Sequence, residues 1–221
     1  MILKKVFIYP SLEDDYDDRL RDSFRYESRS FCYYLERRLK DLKFQSEFFS
    51  KMCIIGRKEP GSICDVNSSN AVAVEVPFEM EDYIPLKGDL AGANRLFLQL
   101  FQYGVGKINK QHKIPADSLL MWARDFEDGQ FGNCWVHKSK RIRGSSAICK
   151  MVCNLTTESF CMSLLMEENG NVLSEIEVLT TKPDEIFFDH YLGDLRMQKN
   201  CILLLDRSKN PFYELDTGSF E

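Results

Sequence analysis

The chain has 221 residues, 44% hydrophobic and 29% charged, with a formal net charge of −5. That length supports one sizeable core or two small ones, and the composition excludes wholesale disorder. The acidic balance argues against a dedicated nucleic-acid binder, whose affinity rests on basic groups at phosphate, and suits a basic partner instead.

Residues 4–9 read as a strand. Ser11-Leu12-Glu13-Asp14 has the form of a capping box opening a helix. Behind it Tyr16, Leu20, Phe24, Phe31, Leu35, Leu39 and Leu42 recur at spacings of three, four and seven, which predicts an amphipathic helix over 13–42. Its acidic start and the Arg37, Arg38 and Lys40 group near its end both complement the helix dipole.

A strand is expected over 44–55, a loop over 56–70 and a short strand over 71–76. Residues 77–87 form a polar connection carrying Glu79, Glu81 and Asp82. Asp89 is placed to cap a second helix with Leu90, Ala93, Phe97, Leu100, Phe101 and Ile108 on one face. Gly104 and Gly106 either weaken its end or admit a close neighbour. Pro115 fits the first turn of a third helix through Phe126, and residues 128–133 read as a hinge.

From 133 to 215 apolar and polar residues alternate between turn signals, the pattern of an antiparallel meander with one buried face. Asn169-Gly170 is a hairpin signal, because Asn-Gly readily takes the positive φ angles of a type I′ turn. Further turns are expected near 154–159, 198–200 and 208–211. The predicted fold is α+β: an N-terminal strand and long helix, further helices, then a C-terminal antiparallel β-meander covered by helices. A single domain over 1–221 is expected, with a sub-boundary near 128–133, because an uncovered meander would aggregate.

No segment approaches ~20 uninterrupted apolar residues, so no membrane-spanning helix is expected. The apolar start is too short for a signal peptide, which predicts a cytoplasmic protein. The eight scattered cysteines then read as reduced thiols, several at inward strand positions.

Few motifs suggest chemistry. Cys134-Trp135-Val136-His137 brings a thiol and an imidazole together in sequence, but strand alternation sends positions three apart to opposite faces. A hydrolase would need Cys134 and His137 to converge with Asp184 or Asp189. Cys149 and Cys153 share a strand face and read as core. No second pair completes a four-ligand metal site, and no phosphate-binding glycine loop occurs, so neither metal nor cofactor is expected. Asp216-Thr217-Gly218 matches an aspartic-protease triplet only in sequence, and Pro183-Asp184-Glu185 lacks the partner lysine of a nuclease site. Lys138, Lys140, Arg141 and Arg143 beside Trp135 suit either a nucleic-acid backbone or ordinary edge protection, and edge protection is the simpler reading.

Three runs carry a family likeness: residues 133–138 (Asn-Cys-Trp-Val-His-Lys), the paired strands over 155–164, and Lys182-Pro183-Asp184-Glu185-Ile186-Phe187-Phe188. Through them the chain resembles cytosolic immunity proteins of bacterial polymorphic toxin systems, over less than half its length. The resemblance implies a non-enzymatic protein that binds a basic toxin domain and occludes its active site. The contacts expected for such a partner are Asp14, Asp15, Asp17, Asp18, Glu79, Glu81 and Asp82, with Tyr16 and Tyr83 as aromatic anchors.

Overall fold

The computed structural model describes residues 1–62, 64–142, 145–198 and 201–216. The chain divides into two compact units, Met1–Asn133 and Cys134–Glu221. The architecture is α+β.

In the first unit, β1 (Lys5–Pro10) leads into α1 (Asp18–Leu42), then β2 (Lys51–Arg57), β3 (Cys64–Val66) and β4 (Ala71–Pro77). These strands make one sheet in the order β1-β2-β4-β3. β1, β2 and β4 run parallel, and β3 is antiparallel to β4. The chain therefore leaves β2, crosses the C-terminal end of β4, and returns beyond it. That crossing is pinned: the Gly61 amide donates to Glu75 Oε2 at 2.6 Å, and Lys107 Nζ donates to the carbonyls of Gly61 and Glu75 at 2.8 and 2.9 Å. Hydrogen bonds from Gly61 and Arg57, together with the Arg57 and Lys107 charges, hold the Glu75 carboxyl below its ordinary range against a smaller opposing effect of burial.

The expected strand over 44–55 begins only at Lys51. Before it, Gln45 makes an isolated bridge to Ile2 and Ser46 is buried, its amide bonded to the Met1 carbonyl. β3 lies inside the expected 56–70 loop.

α1 starts five residues later than the capping-box reading. The Ser11 hydroxyl is used in a local turn, accepting from the Glu13 amide at 3.1 Å. Asp17 caps the helix instead, accepting from the Arg19 and Leu20 amides at 2.8 and 3.2 Å. The predicted stripe is otherwise inward: Phe24, Phe31, Leu35 and Leu39 are fully buried, while Leu42 is exposed.

α1 also closes the outer edge of β1. The Val6 amide donates to Glu36 Oε1 (3.2 Å), the Val6 carbonyl accepts from Arg29 Nη1 (2.9 Å), and the Ile8 carbonyl accepts from Ser28 Oγ (3.0 Å). Arg29 and Glu36, both almost wholly buried, bond each other at 3.0 Å, and Lys5 Nζ reaches Glu36 Oε2 at 2.8 Å. Side chains thus take the part a neighbouring strand would play for these backbone groups.

After β4 come α2 (Met80–Tyr83), a 3-10 turn, α3 (Leu90–Ile108) and α4 (Ala116–Asp128). Asp89 caps α3 as expected, through the Ala91 and Gly92 amides. Gly104 gives the close approach: a Cβ there would lie 2.6 Å from Ile54 Cγ1. Leu90, assigned to the inward face, is exposed. Aromatic rings dominate this core. Phe24 meets Phe78, Tyr83 and Phe97 at centroid distances of 5.2, 5.0 and 5.0 Å, and Phe31 meets Phe101 and Phe126 at 5.1 and 5.2 Å.

The expected hinge over 128–133 is a bonded turn. Gln130 and Phe131 both take positive φ, 54° and 61°, and the Phe131 ring lies 5.7 Å from that of Phe126. Asn133 closes back on α1, donating to the Ser30 carbonyl at 2.8 Å and accepting from Arg37 Nη2 at 2.7 Å.

In the second unit the long alternating run divides into two sheets. β5 (Cys134–Arg141), β6 (Ile148–Leu155), β7 (Phe160–Glu168) and β8 (Asn171–Thr181) form an antiparallel meander in chain order. Asn169 and Gly170 join β7 to β8 with φ of 50° and 84°, as a type I′ turn requires. After a short helix, α5 (Glu185–Phe188), β9 (Asp194–Gln198), β10 (Cys201–Leu205) and β11 (Pro211–Asp216) form a second antiparallel sheet. The inward row of β6 and β7, Cys149, Met151, Cys153, Leu155, Phe160, Met162 and Leu164, is fully buried, and Phe188 stacks on Phe160 at 4.1 Å. The turn expected at 198–200 falls partly on residues 199–200, outside the described residues.

Candidate partner-binding surface

Parallel strands place all their C-terminal ends on one side of the sheet. There β1 continues into the 11–17 segment, β2 ends at Arg57 with Lys58 next in the chain, and β4 runs into α2. The two acidic segments therefore meet although more than sixty positions separate them in the chain. Asp14 Oδ2 accepts from the Lys58 amide at 3.1 Å, and Lys58 Nζ lies 3.6 Å from Glu79 Oε2. Tyr16 sits beneath them, its hydroxyl donating to the Phe78 carbonyl at 3.3 Å. Its hydroxyl titrates well above the ordinary tyrosine value, chiefly through burial and then through the nearby charges of Asp14, Glu79 and Glu81.

Asp15, Asp17, Asp18, Glu79, Glu81 and Asp82 are exposed, and Asp14 is half-buried. Their duties differ. Asp17 caps α1, Asp18 pairs with Arg21 at 2.9 Å, and Asp14 and Glu79 are engaged with Lys58. Among the described residues no side-chain hydrogen bond or ion pair engages the carboxylates of Asp15, Glu81 and Asp82. Arg57 lies close by but is occupied, at 2.6 Å from both Glu13 and Glu75.

The two expected aromatic anchors are not at the surface. Tyr16 is 7% exposed and Tyr83 wholly buried, its ring 5.0 Å from Phe24, so neither offers a face to a partner. Tyr16 is the one ring within the acidic run 13–18, and Tyr83 with Met80 plays the same part in the run 79–83: these buried side chains anchor the acidic segments to the core. The exposed apolar side chains of the same two segments are Leu12, at 78%, and Ile84, at 47%, which the sequence reading missed. Beside Leu12 an open groove of about 450 Å³ runs between Tyr9 and Pro10 on one side and Asp18, Arg21 and Asp22 of α1 on the other.

The residues of the alternative sets have these surroundings. Cys134 is exposed, while His137, the extra residue of a β-bulge, is half-buried with Nε2 3.2 Å from the Gly193 carbonyl. Asp184 is buried and caps α5 through the Ile186 amide, and Asp189 is held by Arg207 at 2.5 Å. Cys149, read as core, is fully buried, and burial pushes its thiol up to about 11. Lys138, Lys140 and Arg141 are exposed along β5, whereas Arg143 lies outside the described residues; Trp135 is half-buried, 6.1 Å from Phe160. Of the protease-like triplet only Asp216 is described, at the end of β11, and residues 217 and 218 lie outside. Among the described residues no three His, Cys, Asp or Glu side chains are grouped to hold a metal ion, and no helix is long and apolar enough to cross a membrane.

No family model, curated protein or solved structure matches the chain.

Proposed function

We propose that the chain is a non-enzymatic binding protein of the immunity type, which neutralises a basic toxin domain by covering its active site with the acidic end of the parallel sheet. The observation that supports this reading is the convergence of two acidic segments on one face, with Asp15, Glu81 and Asp82 uncommitted and Leu12 and Ile84 exposed among them. Uncommitted carboxylates act at long range to raise the encounter rate, and the apolar side chains supply area once contact is made.

The test removes charge where the fold does not need it. An Asp15→Asn/Glu81→Gln/Asp82→Asn variant should associate roughly ten-fold more slowly at low salt with the protein captured by the wild-type chain from its native host, and its salt dependence should flatten. Stopped-flow mixing at two ionic strengths measures both. An on-rate equal to wild type at low salt, with the captured protein still bound, would overturn the reading. A neighbouring gene ending in a toxin domain would add support, and a housekeeping neighbourhood would weigh against it.

A further inference from the structure

The edges of the sheets are treated differently. At β1 the outward backbone groups of Val6 and Ile8 are engaged by buried side chains of α1. β3, the opposite edge of that sheet, is only three residues long. Among the described residues β8, at eleven residues, is the longest strand, and it pairs with β7 on one side and with no strand on the other. Among the described residues its backbone makes no hydrogen bond beyond the β7 pairing. A long bare edge is a template for another strand.

Its side chains restrict which strand. β8 carries two bulges, with Leu173 and Val178 as the extra residues, and between them Ser174–Glu177 keep regular register with Met166, Leu165, Leu164 and Ser163. On the inward face Ile176 extends the row Met151–Leu164, both members of which are fully buried, yet is itself only half-covered at the edge. On the outward face stand Glu175 and Glu177, both exposed. A second copy pairing antiparallel about Ile176 would set Glu175 against Glu177 of its mate, and like charges directly opposed destabilise a ladder. The same two glutamates favour a strand with Lys or Arg opposite them. Val172 and Leu173, 60% and 57% exposed, continue the apolar character toward the hairpin tip.

We propose that the β8 edge is a second docking surface, independent of the acidic end of the first unit, which accepts an extended segment alternating apolar residues with Lys or Arg as an added strand. The apolar residues of that segment cover Ile176, its cations face Glu175 and Glu177, and its backbone takes the bare amides and carbonyls.

A labelled nine-residue peptide of alternating Val and Lys, capped at both ends, serves as the probe, with binding read by fluorescence anisotropy at low salt. Two further peptides carry N-methyl groups on alternate residues, in opposite phase. If the peptide adds as a strand, one methylated phase binds like the parent and the other loses at least about ten-fold in affinity, because only one set of amides faces β8. A Glu175→Lys/Glu177→Lys variant should lose a similar factor, while the Asp15→Asn/Glu81→Gln/Asp82→Asn variant should bind the peptide like wild type. The proposal is overturned if wild type does not bind, if both methylated peptides bind equally, or if affinity follows the first-unit carboxylates instead. A dimer in sedimentation that the Glu175→Lys/Glu177→Lys change disperses would also overturn it, since it would make a second copy the occupant.

Discussion

Glu36 is among the few carboxylates withdrawn from water, at 6% exposure, and its oxygens serve Arg29, Lys5 and the Val6 amide together. Removing one member of a buried charged group leaves the others desolvated and uncompensated, which costs more than the pair itself contributes. Glu36→Ala should therefore destabilise the first unit by about 3–5 kcal/mol in denaturant melts. Glu36→Gln, which keeps an acceptor for Val6, should lose less. An Arg29→Met/Glu36→Leu double change removes the stranded guanidinium but leaves the buried Val6 amide and carbonyl without these partners, so it should recover only part of the stability; an equal loss in single and double variants would show that Arg29 is not stranded. None of this network was legible beforehand. On a helix reading Arg29 and Glu36 fall seven apart beside an apolar stripe, and nothing local says that both turn inward to meet a strand's backbone. Tyr16 and Tyr83 fail the other way: their acidic neighbours suggested a surface, whereas their own rings fill the core.

Among the elements, the contact of α3 with β2 depends on the missing side chain at Gly104. A methyl group there would overlap the stem of Ile54, so one of the two must move. Gly104→Ala should destabilise by about 1–3 kcal/mol from overpacking, partly offset by the better helix propensity of alanine, worth about 1 kcal/mol. Adding Ile54→Ala should cost less than the sum of the separate changes, because each relieves the other; strict additivity in equilibrium unfolding would refute the contact. Gly104 was visible in the sequence as an interruption of a helical pattern, and its partner was not. The same division holds for the elements generally. α1, α3 and α4 follow from apolar spacing, and the type I′ hairpin follows from Asn169-Gly170. The parallel sheet does not, because β2 is a short run with no clean alternation, nothing in β4 names its neighbours, and Lys5 pairs with Lys51 across the whole of α1. The single alternating run over 133–215 gave strands but not their division into two sheets, since which strands pair is a long-range matter.

At the scale of the whole molecule the two units contrast in how their strands are joined. The β5–β8 meander pairs neighbours in sequence, whereas β1 and β2 pair across α1, and β2 and β4 across the intervening β3. Contacts between distant residues incur more loop-closure entropy before they contribute stability, so the second unit should fold faster. The two tryptophans divide between the units, Trp122 in α4 and Trp135 in β5. In stopped-flow refolding, a Trp122→Phe variant should report the Cys134–Glu221 unit at a rate at least about ten-fold above that seen for the first unit in Trp135→Phe. A common rate from both probes would mean that the chain folds as one cooperative body.

The strand order β1-β2-β4-β3 also bears on synthesis. The strand that belongs in the middle of the first sheet is the last of the four to be made, so β1 and β2 can pair on the nascent chain while one side of β2 waits for a neighbour. The face formed by Val6, Ile8, Met52, Ile54 and later Val72, Val74 and Val76 then has only α1 as cover, and lacks the part that α3 supplies until α3 has been translated through Ile108. That interval, between β2 and the end of α3, is when the growing polypeptide presents both an open ladder and an apolar plane. A ribosome-bound chaperone would meet its substrate there.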